Sequence, residues 1–376
     1  MNPEFPVYSF KLEYFDEPAE LIRPYYLTYR TERGEIEIYD IRNHRAFLKR
    51  TVLHNIKMKD LYVGNKLLIN GRQYDVVDFA DSYTRDAFST TMQHTYAMLK
   101  PGFSQYMGEA INRIYESGLV LANLRLGCVT RETAARFYSE HQGKSFYDSL
   151  VSYITSGPIV AMELIGPNAI SKWREIIGPT NLETAKKDAP NSLRALYARS
   201  TTENFAHGSD SPTSAEREID LIFKRRGVHL VSRICNSTLC AIKPHAIKAG
   251  NAGKIIMDIT HGGFQITGAM MTKMDMEMAT EFYEVYRGVA DEFVDLCKEI
   301  SSGPVIALEL TCDGDYVNQF RDLCGPRDVP VAKVIRPQSI RAKYGVNIVQ
   351  NAVHCTDLED DAQLECEYFF TLLANE

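Results

Sequence analysis

NFAHGSD at Asn204–Asp210 returns as NAVHCTD at Asn351–Asp357, each histidine standing three residues after an asparagine. One such heptapeptide would say little, but three further pairs precede the two copies in the same order. TYAMLKPGF (Thr95–Phe103) matches TLCAIKPHA (Thr238–Ala246), SGPIVAMEL (Ser156–Leu164) matches SGPVIALEL (Ser302–Leu310), and SLRALY (Ser192–Tyr197) matches SIRAKY (Ser339–Tyr344). The offset is 143 residues at Lys100 and Lys243, 146 at Gly157 and Gly303, and 147 at His207 and His354. A period that long duplicates a whole domain rather than a short solenoid unit. In 376 residues it leaves room for an N-terminal module, giving expected segments 1–91, 92–233 and 234–376.

Within each copy, strand and helix signals interleave. In the first, Met107, Ala110, Ile111, Ile114 and Tyr115 form a helical stripe that Gly118 closes. LVLANLRLGCV (Leu119–Val129) reads as a strand, RETAARFYSEH as a helix, PIVAMELI (Pro158–Ile165) as a buried strand, and PNAISKWREIIG as a helix with proline at its start. That succession predicts an antiparallel α+β sandwich of β-α-β-β-α-β type. Neither G-x-G-x-x-G after a strand nor G-x-x-x-x-G-K-[ST] is present, so Rossmann and P-loop chemistry have no support.

The first 91 residues read as mostly β. EIEIYDI (Glu35–Ile41) alternates, and LLINGRQYDVV (Leu67–Val77) sets Asn70-Gly71 between two apolar runs, a hairpin signal. Between them RNHRAFLKR (Arg42–Arg50) concentrates positive charge; a solvated loop face is the ordinary reading and an acidic partner surface the alternative. Lys57 and Lys59 extend this basic stretch.

Hydrophobic content of 45% with 24% charged residues is ordinary for a globular chain. A net charge of −7 disfavours nonspecific nucleic-acid or lipid attraction as the main function. No apolar run approaches the roughly 18–20 residues of a membrane span, and the opening MNPEFPVYSF has no leader pattern, so a soluble, unsecreted chain is expected. The 8 cysteines contain no C-x-x-C and suit a reducing compartment.

The two copies resemble nucleoside diphosphate kinases through N-x-x-H-G-S-D, T-x-A-x-x-K-P and S-G-P-h-x-A-M-E. The three-part layout resembles the nucleoside diphosphate kinase 7 type, whose N-terminal module is a DM-ten domain. The resemblance implies two tandem ferredoxin-like α/β sandwich domains behind a small mostly β domain. It also implies a histidine that takes the γ-phosphate of a nucleoside triphosphate and passes it to a nucleoside diphosphate. By that resemblance His207 is the nucleophile, and an imidazole is substantially neutral near pH 7. Glu218, with Ser209, would orient its ring. Lys100, Arg174 and Arg194 would surround the phosphates, Asn204 and Thr180 would donate to ribose or phosphate oxygens, Tyr138 would sit beside the transferred group, and Phe146 would stack on the base. Mg2+ would arrive with the nucleotide. Trp173 is read as packing.

Departures from the family pattern are visible in both copies. Gly102 and Phe103 replace the aspartate and alanine of K-P-D-A, and Ser104 is expected to take over the helix cap. In the second copy Cys355 and Thr356 follow His354, Glu292 stands where the stacking aromatic would be, and Arg327 replaces the threonine matching Thr180. Lys243, Arg321, Arg341, Asn351 and His354 persist, so the second copy is expected to bind nucleotide with poor or absent turnover. The resemblance further implies tubulin, microtubules and axonemal proteins as partners, in the cytoplasm, cytoskeleton and cilium or flagellum axoneme, with the centrosome or basal body as a further site. Neither membrane nor nucleic acid is an expected partner. Two readings thus stand side by side: a working kinase and a mainly structural microtubule-binding protein.

Overall fold

A computed structural model describes residues 5–16, 19–54 and 56–375. The chain forms two compact units, one running to Gln93 and one from His94 onward, with Gly166–Asn168 grouping with the first. No helix among the described residues is long and apolar enough to cross a membrane.

In the first unit, β1 (Val7–Asp16), β2 (Leu21–Arg30), β3 (Glu35–Asp40), β4 (Arg45–Val52), β5 (Lys66–Ile69) and β6 (Arg72–Phe79) make one sheet in the order β4-β3-β2-β1-β6-β5. Every described pairing in it is antiparallel. Alternate side chains such as Phe10 and Leu12, Leu27, Ile36 and Ile38, Tyr74 and Val76 enter one core, which Phe88 of the helix Ser82–Thr91 completes. The expected hairpin forms: Asn70 and Gly71 sit at φ 50° and 78°, the left-handed pair a two-residue turn between twisted strands requires. The basic stretch departs from the loop reading. Arg45 onward is the edge strand β4, held by β3, with Arg45, Lys49 and Arg50 exposed. Backbone pairing there overrides the charge-based reading, because an edge strand buries little and tolerates cations. The side chain of Lys59 lies outside the described residues.

In the second unit, β7 (Gln93–Leu99), β8 (Val120–Val129), β9 (Ile159–Gly166) and β10 (Ala206–Gly208) belong to the first copy, and β11 (Val228–Leu230) follows. The second copy supplies β12 (Thr238–Ile242), β13 (Gln265–Lys273), β14 (Pro304–Thr311) and β15 (Val353–Cys355). One sheet runs β10-β7-β9-β8-β13-β14-β12-β15, with β11 added on β8. Counted within each copy the order is fourth, first, third, second, the ferredoxin-like arrangement, and the two halves meet edge to edge at Arg125 and Met270.

The equivalent helices Met107–Glu116 and Ala252–His261 cross over that junction. Gly108 and Gly253 make the approach possible. A Cβ on Gly253 would stand 2.3 Å from the Asn112 amide nitrogen, and one on Gly108 would stand 2.9 Å from that of Met257. The expected stripe Met107, Ala110, Ile111 and Ile114 therefore joins Ile255, Ile256 and Ile259 in a single core shared by both copies. The connecting segment is fixed by Glu309, whose buried carboxylate accepts from the backbone of Arg233 at 2.6 Å and from Thr267 Oγ1 at 2.6 Å.

Two local expectations are corrected. Ser104 makes no side-chain cap; the helix Met107–Glu116 instead continues out of a 3-10 turn, Ser104–Tyr106, which orders its start without one. The next proline-led helix begins at Ala169, two residues beyond Pro167, because Asn168 takes φ 54°.

Candidate functional site

His207 stands in the middle of β10, opposite Met98 of β7. Two residues earlier, Phe205 is held at φ 77°, a strained conformation for a residue with a Cβ, and its carbonyl accepts from the Lys100 amide at 2.9 Å. Trp173 fixes the strand from behind, its indole N–H donating to the His207 carbonyl at 2.9 Å. Gly208 is required there, since a Cβ would lie 2.5 Å from Trp173 Cδ1.

The imidazole is set by a relay of three groups. His207 Nε2 lies 3.1 and 3.0 Å from the Glu218 carboxylate oxygens, and Ser209 Oγ donates to that carboxylate at 2.7 Å. Ser209 in turn accepts from the Tyr96 amide at 3.1 Å. Glu218 reaches this position from the helix Pro212–Ile219, which Ser211 caps and Pro212 begins. A carboxylate on Nε2 selects the tautomer with hydrogen there, leaving the lone pair on Nδ1.

A cavity of about 490 Å³ opens over this ring. Lys100, Tyr138, Phe146, Arg174, Thr180, Arg194, Asn204, His207 and Glu218 all line it, while Ser209 lies behind Glu218. The residues singled out in the first copy thus converge from positions spread over more than a hundred residues. Arg194 is buried and anchored by backbone carbonyls, donating to Gly178 and Ala206 at 2.7 Å each and to Thr180 Oγ1 at 3.3 Å. Burial, with Arg174 nearby, draws it down to about 10. Lys100, also buried, donates to the Thr202 carbonyl at 3.2 Å; burial, then the Arg194 charge, brings its ammonium down to about 7. Phe146 is half exposed, and Arg174 and Thr180 are exposed. Tyr138 Oη and Asn204 Oδ1 are buried without a hydrogen-bond partner among the described residues.

Sequence reading missed four features of this cavity. Asp210 lines it, its carboxyl held below the usual range by the Ser214 hydroxyl. Arg217 and Glu140 pair at its wall, and His141 rests against Phe146 with ring centroids 5.6 Å apart. Trp173, read as packing alone, also positions the histidine strand. Asp210 was legible within the repeated heptapeptide, whereas the pairing of residues 140 and 217 has no local signal.

The second copy keeps the frame and pairs its cations. His354 Nε2 lies 2.9 and 3.0 Å from the Glu365 oxygens, and Thr356 Oγ1 donates to Glu365 at 2.7 Å and accepts from the Leu239 amide at 3.2 Å. Threonine therefore replaces serine without loss of the relay. Ala352 repeats the strain at φ 73°. Lys243 is buried and brought down to about 7, chiefly by burial and then by Arg341, while donating to the Val349 carbonyl at 2.9 Å. Asn351 Oδ1 repeats the unpartnered atom of Asn204. The differences lie at the cations. Arg321 is paired with Asp357, which also accepts from Tyr286 Oη at 2.5 Å, and Arg327 is paired with Glu292. The pair thus stands at the positions matching Thr180 and Phe146.

A strand-borne histidine is held at Nε2 by a buried glutamate and faces clustered cations on a ferredoxin-like sandwich. The family description "Nucleoside diphosphate kinase" matches residues 93–228 and 236–373, and the chain belongs to that family. Along nearly its whole length the chain is similar to "Nucleoside diphosphate kinase homolog 7" of Rattus norvegicus, 40% identical over 371 residues, covering 98% of this chain and 94% of the relative. It is also similar to the nucleoside diphosphate kinase of Treponema pallidum, 48% identical over 139 residues, 36% of this chain and 89% of the relative. Among solved structures, the Aquifex aeolicus nucleoside diphosphate kinase is 38% identical over 36% of this chain and 99% of its own, with a TM-score of 0.35.

Proposed function

We propose that the first copy, within residues 92–233, is a working nucleoside diphosphate kinase that passes a phosphoryl group through His207. The observation that carries this is the Glu218 carboxylate 3.0 Å from His207 Nε2 in a cavity that also collects Lys100, Arg174 and Arg194. Nδ1 attacks the γ-phosphorus of a nucleoside triphosphate; the N–P bond forms as the bond to the β,γ-bridging oxygen breaks, and the diphosphate leaves with that electron pair. Glu218 stabilises the positive charge the ring acquires, and the cations stabilise charge moving onto the leaving phosphate. A second diphosphate then takes the group by the reverse path. Asn204 and Thr180 offer groups to ribose and phosphate oxygens, Tyr138 sits beside the transferred group, and Phe146, half exposed, offers a stacking face that any base can use.

No group of three or more His, Cys, Asp or Glu side chains able to hold a metal occurs among the described residues. Asp210, an ionised carboxylate in the cavity, fits a Mg2+ ion that keeps its waters and comes in on the phosphates. The magnesium would supply charge neutralisation of the triphosphate.

The test is incubation of the full chain with γ-labelled GTP. Acid-labile label is expected on the protein, absent in His207→Ala and retained in His354→Ala. Label that survives His207→Ala would refute the assignment.

A second reading, attachment to microtubules and axonemal proteins in a cilium, is favoured by the exposed Arg45, Lys49 and Arg50 along the edge strand β4 of an otherwise acidic chain. Cations on a local face are drawn to an acidic polymer even when the whole chain is negative. Reversing the three to glutamate is expected to weaken co-sedimentation with microtubules and leave phosphotransfer intact; unchanged co-sedimentation would remove this reading.

A further inference from the structure

Three cysteines of the second copy occupy one place. Cys355 follows His354 on β15, Cys240 is its register partner on β12, and Cys324 ends the helix Tyr316–Cys324. All three are buried free thiols. The first copy explains how they meet. At the repeat offsets Cys240, Cys324 and Cys355 correspond to Ala97, Ile177 and Gly208. A Cβ on Gly208 would stand 3.4 Å from Ile177 Cδ1 and 2.5 Å from Trp173 Cδ1. In the second copy the tryptophan is replaced by Phe320, the isoleucine by a thiol and the glycine by a thiol, so two sulfurs share volume that one branched side chain fills in the first.

The sulfurs are also chemically unequal. Cys324 and Cys355 lie within hydrogen-bonding reach of each other, and Arg341 Nη2 donates to Cys355 Sγ at 3.4 Å. The Cys324 hydrogen bond, with Arg341 beside it, holds the Cys355 thiol below the ordinary range, while burial pushes Cys324 up. A sulfur favoured as thiolate beside one favoured as thiol is the arrangement of an attacking and a resolving sulfur.

We propose that Cys324 and Cys355 form a disulfide when the protein meets a peroxide, making the second copy an oxidation-responsive site beneath His354. The Cys355 thiolate attacks one oxygen of hydrogen peroxide; an S–O bond forms, the O–O bond breaks, and the departing hydroxide takes a proton to become water. Cys324 sulfur then attacks Cys355 sulfur; the S–S bond forms, the S–O bond breaks, and the hydroxide released leaves as water with the Cys324 proton. Two thiols lose two electrons and one peroxide becomes two waters. The bond ties the strand that carries His354 to the helix that carries Arg321, and it engages the sulfur to which Arg341 donates. Neither step depends on phosphotransfer by the first copy.

The experiment treats the full wild-type chain with hydrogen peroxide, alkylates it in denaturant and maps the peptides by mass spectrometry. A peptide pair joined through Cys324 and Cys355 is expected, lost on treatment with dithiothreitol, with the alkylatable fraction of both cysteines falling together. In Cys324→Ser, which lacks the resolving sulfur, dimedone is expected to trap a sulfenic acid on Cys355. Both thiols remaining fully alkylatable while the exposed Cys235 is oxidised would overturn the proposal, and so would Cys355 joined to Cys240.

Discussion

Burial holds the Lys100 ammonium near neutrality in the ligand-free protein, at about 7, with Arg194 adding to the effect. A bound triphosphate places several negative charges beside it and restores the ordinary range of about 10.4. Nucleotide binding must then take up protons: about half a proton at ~pH 7 and about nine-tenths at ~pH 8, since a group with a pKa of ~7 is about one-tenth protonated there. Apparent affinity falls accordingly, by close to tenfold per pH unit above ~pH 8. The sign for the free protein is the opposite. Because the unfolded chain binds the proton more tightly than the folded one, ligand-free stability rises with pH between about 7 and about 10.

The assay is calorimetric titration with a nonhydrolysable triphosphate and Mg2+ in buffers of different ionisation enthalpy. Lys243, also brought to about 7, carries a Lys243→Met change in both arms so that only the first copy reports. A binding heat at ~pH 8 that does not vary with buffer, or an uptake that persists in Lys100→Met, would refute the reasoning.

Glu218→Gln keeps the shape of the orienting group and removes its charge, so phosphoenzyme formation measured by rapid quench is expected to slow by ~10²-fold with the fold unchanged. Gly208→Ala forces a methyl against Trp173 and is expected to cost ~1–3 kcal/mol, read as a lower urea midpoint; an unchanged midpoint would show that Trp173 yields freely. Replacing the Glu292–Arg327 pair by the first copy's residues, Glu292→Phe with Arg327→Thr, is expected to raise labelling of second-copy peptides by a photoreactive azido nucleotide. Equal labelling before and after would mean that the ion pair does not obstruct that cleft.

Wherever two copies or a strict period spoke, the sequence was legible. The repeated heptapeptides located both histidines, the apolar run at Pro158–Ile165 located the buried strand β9, and Asn70-Gly71 located the β5–β6 hairpin. The first copy's site residues all converge on the cavity or directly behind it; Lys100, Arg194, Asn204 and His207 lie in the repeated segments, whereas the roles of the others were implied by the family resemblance. What stayed hidden depends on distance along the chain. RAFLKR carries the composition of a solvated segment, and only its pairing with Glu35–Asp40 makes it a strand. Arg194 was expected among the phosphate-facing cations, but nothing local encodes that its guanidinium is buried on the carbonyls of Gly178, Asn204 and Ala206. Trp173 reads as core, and no local pattern encodes that its N–H ends on the His207 carbonyl. Glu292 and Arg327 were visible as two separate departures, but their neutralisation of one another was not.

The crossing of the helices at Gly108 and Gly253 joins the two copies inside one chain. An assembly of separate subunits obeys mass action and comes apart on dilution, whereas here the partner is tethered and its effective concentration is fixed by the chain. The first copy therefore keeps its neighbour at any protein level in the cell. The second copy owes the arrangement only its sheet edge and its helix face. It is consequently at liberty to set ion pairs among its cations and to exchange glycine for cysteine, while the site next door remains fully supported.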